Sequence, residues 1–134
     1  MDRVALKFDV ARRALHTLLD ALALPESDIV RDASIQRFEY TFEATWKYAQ
    51  AALHHVEHLD AASPRTVIRA CWERGMVDEA TGRALLGALD DRNQSVHTYN
   101  EPLAREIFDR LCHHADQLRA WQDGVTTWIE SEGA

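Results

Sequence analysis

The sequence has little glycine or proline and a shortage of positive charge. Glycine and proline together account for 8 of 134 residues, about half of their usual share, so the chain has few turns. Alanine and leucine number 34, against 13 for valine and isoleucine, which favours helix over strand. A hydrophobic content of 46% can supply a core and excludes disorder as the main state. The length predicts one domain over residues 1–134.

Long apolar runs and cysteines are also scarce. No run reaches the ~18 residues that a membrane span requires, and the nearest, residues 15–24, is interrupted by Asp20. Two cysteines, Cys71 and Cys112, cannot make a disulfide framework. The N-terminal residues do not resemble a cleavable signal. We therefore expect a cytoplasmic protein with no membrane role.

The charge balance limits the possible partners of the chain. Fifteen lysines and arginines stand against 22 acidic residues, which gives a net charge of −7. Binding to phosphate backbones depends mainly on cations. A non-specific nucleic-acid coat is therefore unfavourable, and any contact with nucleic acid must be local.

Hydrophobic spacing predicts two helices in the first part of the chain. The first ends before Pro25 and carries one apolar stripe, made of Val4, Phe8, Ala11, Leu15, Leu18 and Leu22. The second follows Ser27 and Asp28 and should run to about His58. Its stripe consists of Ile35, Phe38, Phe42, Trp46, Ala49, Leu53 and Val56.

Two shorter helices should follow. Ser63 is suited to be an N-cap with Pro64 at the first helical position, and this short helix should stop at Gly75. The next helix starts at Asp78 and runs into the polar stretch 90–95. We expect a break in the helix soon after that stretch.

The last helix completes the predicted fold. Asn100 and Pro102 mark its start, and its stripe is long enough to pair with the second helix: Leu103, Ile107, Leu111, Ala115, Leu118, Val125 and Trp128. Four main helices and one short helix predict an all-α protein. We expect an antiparallel four-helix bundle with an additional short helix.

Two polar clusters contain residues that could bind a metal ion. Residues 54–58 read His-His-Val-Glu-His, which matches the H-x-x-E-H arrangement of a zinc peptidase. Such a site needs a third ligand and a substrate cleft, so an exposed helix end is the better interpretation. In the Cys-His-His run at 112–114, we expect Cys112 to be buried and His113 and His114 to be exposed. No metal and no cofactor is predicted.

Aromatic and charged side chains offer two further hypotheses. Four tryptophans, at 46, 72, 121 and 128, could stack on bases, but they lie in or beside the apolar stripes and are expected to pack in the core or an interface. On the second helix, Glu39 and Glu43 are one turn apart, with Arg37 and Tyr40 nearby. These four side chains could form a charged groove or simply a solvated face.

The stretch from Arg92 to Tyr99 combines three useful chemical groups near a helix end. Arg92 can hold a phosphate through two hydrogen bonds. His97 can move a proton, as RNA cleavage by a ribose 2′-hydroxyl requires, and Tyr99 offers a hydroxyl. On one continuous helix Arg92 and His97 would lie about 140° apart, so their cooperation needs a break or a second subunit. The alternative is an arginine that caps the helix and a histidine that closes a turn.

The pattern Arg-x4-His-x-Tyr in a small helical protein resembles the signature of the HEPN superfamily, and specifically of the HepT-type toxins. Asn93 also fits, since the residue after the HEPN arginine is usually polar. The string from Ile35 to Glu43, followed by Trp46 and Lys47, resembles the branch of nucleotidyltransferase substrate-binding proteins. The resemblance extends from the first helix to Trp128.

The resemblance implies a homodimer that brings two Arg-His sets into one cleft. It also implies a toxin paired with an antitoxin of the minimal nucleotidyltransferase (MNT) type. Arg92 would hold the scissile phosphate of RNA, His97 would be the acid-base group, and Asn93 would help to shape the site. Tyr99 matches the tyrosine that the partner modifies with AMP, and a bulky anionic group there should repel RNA.

The same family includes substrate-binding subunits without nuclease activity. On that alternative, the bundle presents a nucleotide or substrate to the transferase, and Arg92 and His97 bind without cleaving. An intact Arg, His and Tyr set favours the toxin, because a pure adaptor has no obvious use for all three.

Overall fold

A computed structural model of the chain describes residues 2–132. Within that range the chain is helical and contains no strand. The described helices are α1 (Asp2–Leu22), α2 (Asp28–Glu57), α3 (Pro64–Glu73), α4 (Glu79–Gln94), a 3₁₀ helix (Ser95–His97) and α5 (Glu101–Glu132). No helix among these residues is long and apolar enough to cross a membrane.

The helix starts follow the capping residues in the sequence. The side chains of Ser27, Ser63 and Asp78 each accept a hydrogen bond from a backbone N–H of the first turn of α2, α3 and α4. Helix α2 ends at Glu57, with His58 as its C-cap at a φ of 56°. The predicted boundaries of these helices are confirmed.

The long helices run in directions that follow from their contacts. Helix α1 runs antiparallel to α2, because Thr17 near its end contacts Arg37 and Tyr40 in the first half of α2. Helices α2 and α5 instead run in the same direction, as the paired rings of Phe38 with His114 and of Phe42 with Trp121 show. Consecutive long helices therefore alternate in direction, so the second and the last long helix point the same way.

The short α3 explains the parallel pair. Its ten residues span about 15 Å, whereas the 30 residues of α2 span about 45 Å. Helix α3 therefore cannot carry the chain back along the bundle, and α4 makes the return instead. Helix α5 then reverses direction again, which aligns it with α2.

Tryptophans pack in the interior. Trp46, Trp121 and Trp128 are at most 8% exposed, so the prediction of core packing is confirmed for them. Trp72 is partly buried and lies against Gly82, where a Cβ atom would come within 2.6 Å of the indole ring. Glycine at that position lets α3 and α4 approach closely.

Candidate functional site

Arg92 lies in the last turn of α4 and reaches across to α2. Its Nη2 atom donates to Glu43 Oε2 at 2.8 Å, and Nη1 lies 3.4 Å from Asn93 Oδ1. The Arg92 side chain is 33% exposed. The guanidinium is therefore held by its own chain but remains accessible from solvent.

Glu43 holds several donors at once. Besides Arg92, its carboxylate accepts a hydrogen bond from Trp46 Nε1 at 2.7 Å and lies 3.5 Å from Lys47 Nζ. A carboxylate fixed by three donors gives Arg92 a defined partner position. Glu43 thus orients the arginine and also neutralises part of its charge.

Ser95 makes a second connection between the end of α4 and α2. Its hydroxyl is buried and lies 2.8 Å from Glu39 Oε2 and 2.6 Å from the carbonyl oxygen of Arg92. Glu39 and Glu43 are one turn apart on α2, so each contacts a different residue at the end of α4. Nothing in the local sequence pattern identifies Ser95 as a site residue.

An open groove of about 600 Å³ lies between α2 and the end of α4. Three of the predicted groove residues, Glu39, Tyr40 and Glu43, line it together with Gln36, Arg92, Asn93 and Val96.

Arg37 does not contribute to this groove, so that part of the prediction was wrong. Its Nη1 atom donates to the backbone carbonyl of Thr17 on α1 at 2.8 Å. Tyr40 also contacts α1, because its hydroxyl lies 2.6 Å from Thr17 Oγ1. Positions 37 and 40 are about 60° apart around the axis of α2. Tyr40 therefore also borders the groove, whereas Arg37 faces α1.

His97 and Tyr99 lie beyond the end of α4. His97 is the last residue of the 3₁₀ helix, which supplies the predicted break after the polar stretch. The Tyr99 hydroxyl lies 3.4 Å from His97 Nδ1, and the two rings meet nearly at right angles, with 5.9 Å between centroids. Tyr99 is 86% exposed. Within residues 2–132, no hydrogen bond joins Arg92 to His97.

The histidines at the end of α2 do not converge on a metal position. His54 Nδ1 lies 2.7 Å from Asp60 Oδ1, and the rings of His54 and His58 are perpendicular and 6.1 Å apart. In the described part of the chain, no group of three or more potential ligands could hold a metal ion. This cluster is an exposed helix end, the interpretation that the sequence favours.

The sequence and the fold of the chain resemble those of known proteins. Residues 6–127 match the family model described as "Nucleotidyltransferase substrate binding protein like". The chain belongs to this family. A solved structure from Thermus thermophilus is 48% identical, with a TM-score of 0.81, and the match covers 86% of this chain and 98% of that one. No curated protein matches the chain.

Two more distant structures share the fold of this nucleotidyltransferase substrate-binding-like chain. One is a tri-AMPylated HEPN toxin of Shewanella oneidensis in complex with an MNT antitoxin, with 15% identity, a TM-score of 0.77 and coverage of 95% and 98% of the two chains. The other is a toxin-antitoxin with AMP-PNP, with 15% identity, a TM-score of 0.76 and coverage of 93% and 98%.

In this family member, two buried polar side chains and one exposed arginine form a cluster next to Arg92. Asp91 accepts two hydrogen bonds from Arg110, at 2.7 and 2.8 Å, and lies 2.6 Å from His114 Nε2. The expectations for residues 112–114 were partly wrong: Cys112 is exposed and His114 is buried, whereas His113 is exposed as predicted. Position 114 faces the core because it lies one turn after Leu111 on the buried side of α5.

The cluster shifts the pKa values of Asp91 and His114. Burial opposes ionisation of Asp91, but hydrogen bonds from Arg110 and His114 outweigh it and lower the pKa of the carboxyl. Burial lowers the pKa of His114, against the opposing effect of Asp91. His114 Nδ1 is buried and has no hydrogen-bond partner, so a second ring proton would have no acceptor. We therefore assign a neutral His114 that donates from Nε2 to an ionised Asp91.

Proposed function

We propose that the chain is the toxin of a toxin-antitoxin pair, a metal-independent endoribonuclease whose partner is an MNT-type nucleotidyltransferase. The observation that carries the proposal is the arrangement of the motif: Arg92 faces an open groove, and His97 and Tyr99 adjoin each other on the exposed turn after α4. The family membership and the fold shared with a solved HEPN toxin support it.

Arg92 is suited to hold the scissile phosphate. A guanidinium carries five N–H donors, and the contacts to Glu43 and Asn93 occupy two of the nitrogens only in part. The remaining donors can bind phosphate oxygens and stabilise the charge that develops during cleavage. Asn93 stands beside the guanidinium and helps to shape the phosphate position.

His97 is the group that transfers protons. The ribose 2′-hydroxyl attacks the adjacent phosphorus, the bond from phosphorus to the 5′-oxygen breaks, and a 2′,3′-cyclic phosphate and a 5′-hydroxyl result. One proton must leave the 2′-oxygen and another must reach the 5′-oxygen. An imidazole can do both near neutral pH, and the exposed position of His97 leaves it open to RNA.

A second copy of the chain would complete the site. Val96 and Tyr99, on either side of His97, are 69% and 86% exposed, and apolar surface that is grouped in this way can be covered by a partner. A homodimer that covers this turn would bring two Arg92 and two His97 side chains into one cleft. It would also provide the local positive charge that a protein of net charge −7 needs in order to bind RNA.

AMP modification of Tyr99 would switch this site off. The Tyr99 oxygen attacks the α-phosphorus of ATP, pyrophosphate leaves, and a phosphodiester to AMP forms, with the partner transferase as catalyst. Because the Tyr99 hydroxyl is 3.4 Å from His97, the new anionic group would stand beside the acid-base residue. It would repel RNA and fill the cleft.

The ion pair between Arg92 and Glu43 favours a second candidate function. A paired arginine at 2.8 Å beside an open groove suits a subunit that binds a nucleotide for the transferase without cleaving RNA. This adaptor function agrees with the description of the family. The two candidates differ in whether His97 changes any covalent bond.

RNA cleavage by the purified protein in excess EDTA tests the proposal. We expect wild-type protein to cleave, and His97→Ala to lower the rate by about 10²–10⁴-fold, the usual contribution of an acid-base group. His113→Ala is the matched control, because His113 is also exposed but lies outside the motif. Equal absence of cleavage in unmodified wild type and His97→Ala would favour the adaptor.

A further inference from the structure

The residue immediately before Arg92, Asp91, has a buried carboxylate that takes no part in the proposed cleavage step. Asp91 is 8% exposed and His114 is 4% exposed. Burial of an ionised group is costly unless charges and hydrogen bonds compensate for it. Asp91 has such compensation from Arg110 and His114, both on α5. The cluster of Asp91, Arg110 and His114 therefore joins the end of α4 to α5.

Helix α2 also contacts His114. The Phe38 ring of α2 stacks on His114 with 5.2 Å between centroids and 22° between planes. Phe38 directly precedes Glu39, which contacts Ser95. Helices α2, α4 and α5 thus meet around one imidazole, and its Nε2 atom is directed at Asp91.

Helix geometry links this cluster to the direction of Arg92. Successive residues of an α-helix are about 100° apart around the axis, so Asp91 and Arg92 point toward different neighbours. The apolar contacts of Leu85 and Leu89 with the core are not directional. Hydrogen bonds from α5 to Asp91 are directional and fix the rotation of the last turn of α4. That rotation determines whether Arg92 faces α2 and its groove.

We propose that Asp91 is the positioning residue of the Arg92 site, and that the hydrogen bond from His114 and the ion pair with Arg110 set its orientation. Asp91 and His114 touch no RNA; they act through the rotation of α4. The catalytic consequence rests on the proposed nuclease function. The orientation of α4 does not, so it can be tested by itself.

Two substitutions at His114 separate the hydrogen bond from the ring. His114→Gln keeps an N–H donor for Asp91 and loses the ring. His114→Phe keeps a ring that can stack on Phe38 and loses the donor. Arg110→Leu is a milder variant, because the Arg110 side chain is 47% exposed and its loss leaves the core intact. His113→Phe, on the exposed neighbouring position, is the matched control.

Two measurements on the purified protein report the effect. The first is hydrogen exchange of the amides of residues 90–97, with the amides of α1 as an internal reference. The second is kcat and KM for RNA cleavage. We expect His114→Phe to speed exchange at residues 90–97 about tenfold with α1 unchanged, and to lower kcat about tenfold with KM within twofold, since small displacements of a catalytic group reduce the rate strongly. His114→Gln should stay within threefold of wild type, and Arg110→Leu should lie between the two.

Different failures have different meanings. If His114→Phe and Arg110→Leu leave exchange at residues 90–97 within twofold of wild type, the positioning role is overturned. Equal impairment in His114→Gln and His114→Phe would also overturn it, because the donor would not be the relevant feature. If the wild type cleaves no RNA, the nuclease proposal fails, whereas the exchange contrast still decides the positioning role.

Discussion

The two ends of the Arg-x4-His-x-Tyr motif are held in different ways. Arg92 is fixed by long-range contacts: its guanidinium pairs with Glu43 on α2, and the preceding Asp91 is bonded to α5. His97 and Tyr99 contact each other at 3.4 Å, and Tyr99 is 86% exposed. The anchored half of the motif is thus Arg92, which contacts within the chain hold in place. The exposed half is His97 and Tyr99, which face solvent.

The difference indicates which half depends on other molecules. A buried carboxylate such as Asp91 is expensive to separate from its hydrogen-bond partners, so the position of Arg92 is set when the chain folds. An exposed turn has few contacts that restrain it, so it can accept a second copy, a substrate or a covalent group. We infer that regulation acts on the exposed half.

The largest expected effect concerns modification of the exposed half. Coexpression with the proposed partner nucleotidyltransferase should add mass in steps of AMP, and Tyr99→Phe should abolish these additions because phenylalanine has no hydroxyl. Intact-mass spectrometry of the purified protein measures this outcome. The modified wild type should lose RNA cleavage, whereas coexpressed Tyr99→Phe should retain it.

A second tyrosine provides the control for that experiment. Tyr40 is 41% exposed and its hydroxyl is bonded to Thr17, so Tyr40→Phe should keep the AMP additions. An unmodified wild type, or additions that persist in Tyr99→Phe, would contradict regulation at Tyr99. Either result would mean that regulation does not act at Tyr99 on the exposed half of the motif.

Local sequence signals determined what could be predicted of the fold. Ser27, Ser63 and Asp78 begin helices through bonds to their own first turns, and such short-range signals can be read directly from the sequence. The contacts between helices could not be predicted this way, because they join residues far apart in the sequence, such as Phe38 and His114. The apolar stripes indicate that helices pack but not which helices are neighbours.

In the candidate site too, local features could be predicted from the sequence and contacts between distant residues could not. Arg92, His97 and Tyr99 were accessible as a local motif, and the break between them follows from the polar stretch. Asp91 and His114, 23 positions apart, come together only after α4 and α5 pack, and no local spacing identifies such a pair. Arg37 was misplaced for a related reason: its partner, the Thr17 carbonyl, is a backbone atom on another helix.

A smaller effect is expected from the carboxylate that anchors Arg92. Glu43→Gln removes one negative charge from the groove but keeps an oxygen that can accept from Arg92. A phosphate then competes with a neutral partner, so KM for RNA should fall by up to about fivefold, as expected from a partly exposed ion pair worth about 0.2–1 kcal/mol. Initial cleavage rates over a range of RNA concentrations give the KM.

Glu57 offers a matched control for the loss of charge. It pairs with Arg74 at 2.8 Å, away from the groove, so Glu57→Gln removes the same charge from a different place. Its KM should remain that of wild type. An unchanged or higher KM in Glu43→Gln would mean that the carboxylate does not compete with phosphate, and that the anchored half depends on the full ion pair.

The smallest expected effect is a dependence of stability on pH that arises in the anchored half. Burial lowers the pKa of His114 below its ordinary 6.5, so as the pH falls below 6.5 the unfolded chain takes up a proton before the folded chain does. Stability from this residue is thus complete above 6.5 and is lost as the pH falls toward the lowered pKa. Arg110, Asp91 and His113 are the charged or titratable groups around it.

Asp91 acts in the same direction at lower pH. Its lowered pKa means that its contribution is present above the ordinary 3.8 and is lost as the pH falls through the folded-state value. Of these two groups only His114 changes its contribution between pH 7.5 and pH 5, so the Tm of wild type should fall more than that of His114→Gln, by a few degrees. His113→Gln, which removes an exposed histidine, should follow wild type. Thermal unfolding monitored by circular dichroism at both pH values measures the difference, and parallel behaviour of wild type and His114→Gln would show that the buried imidazole is not kept neutral by its surroundings.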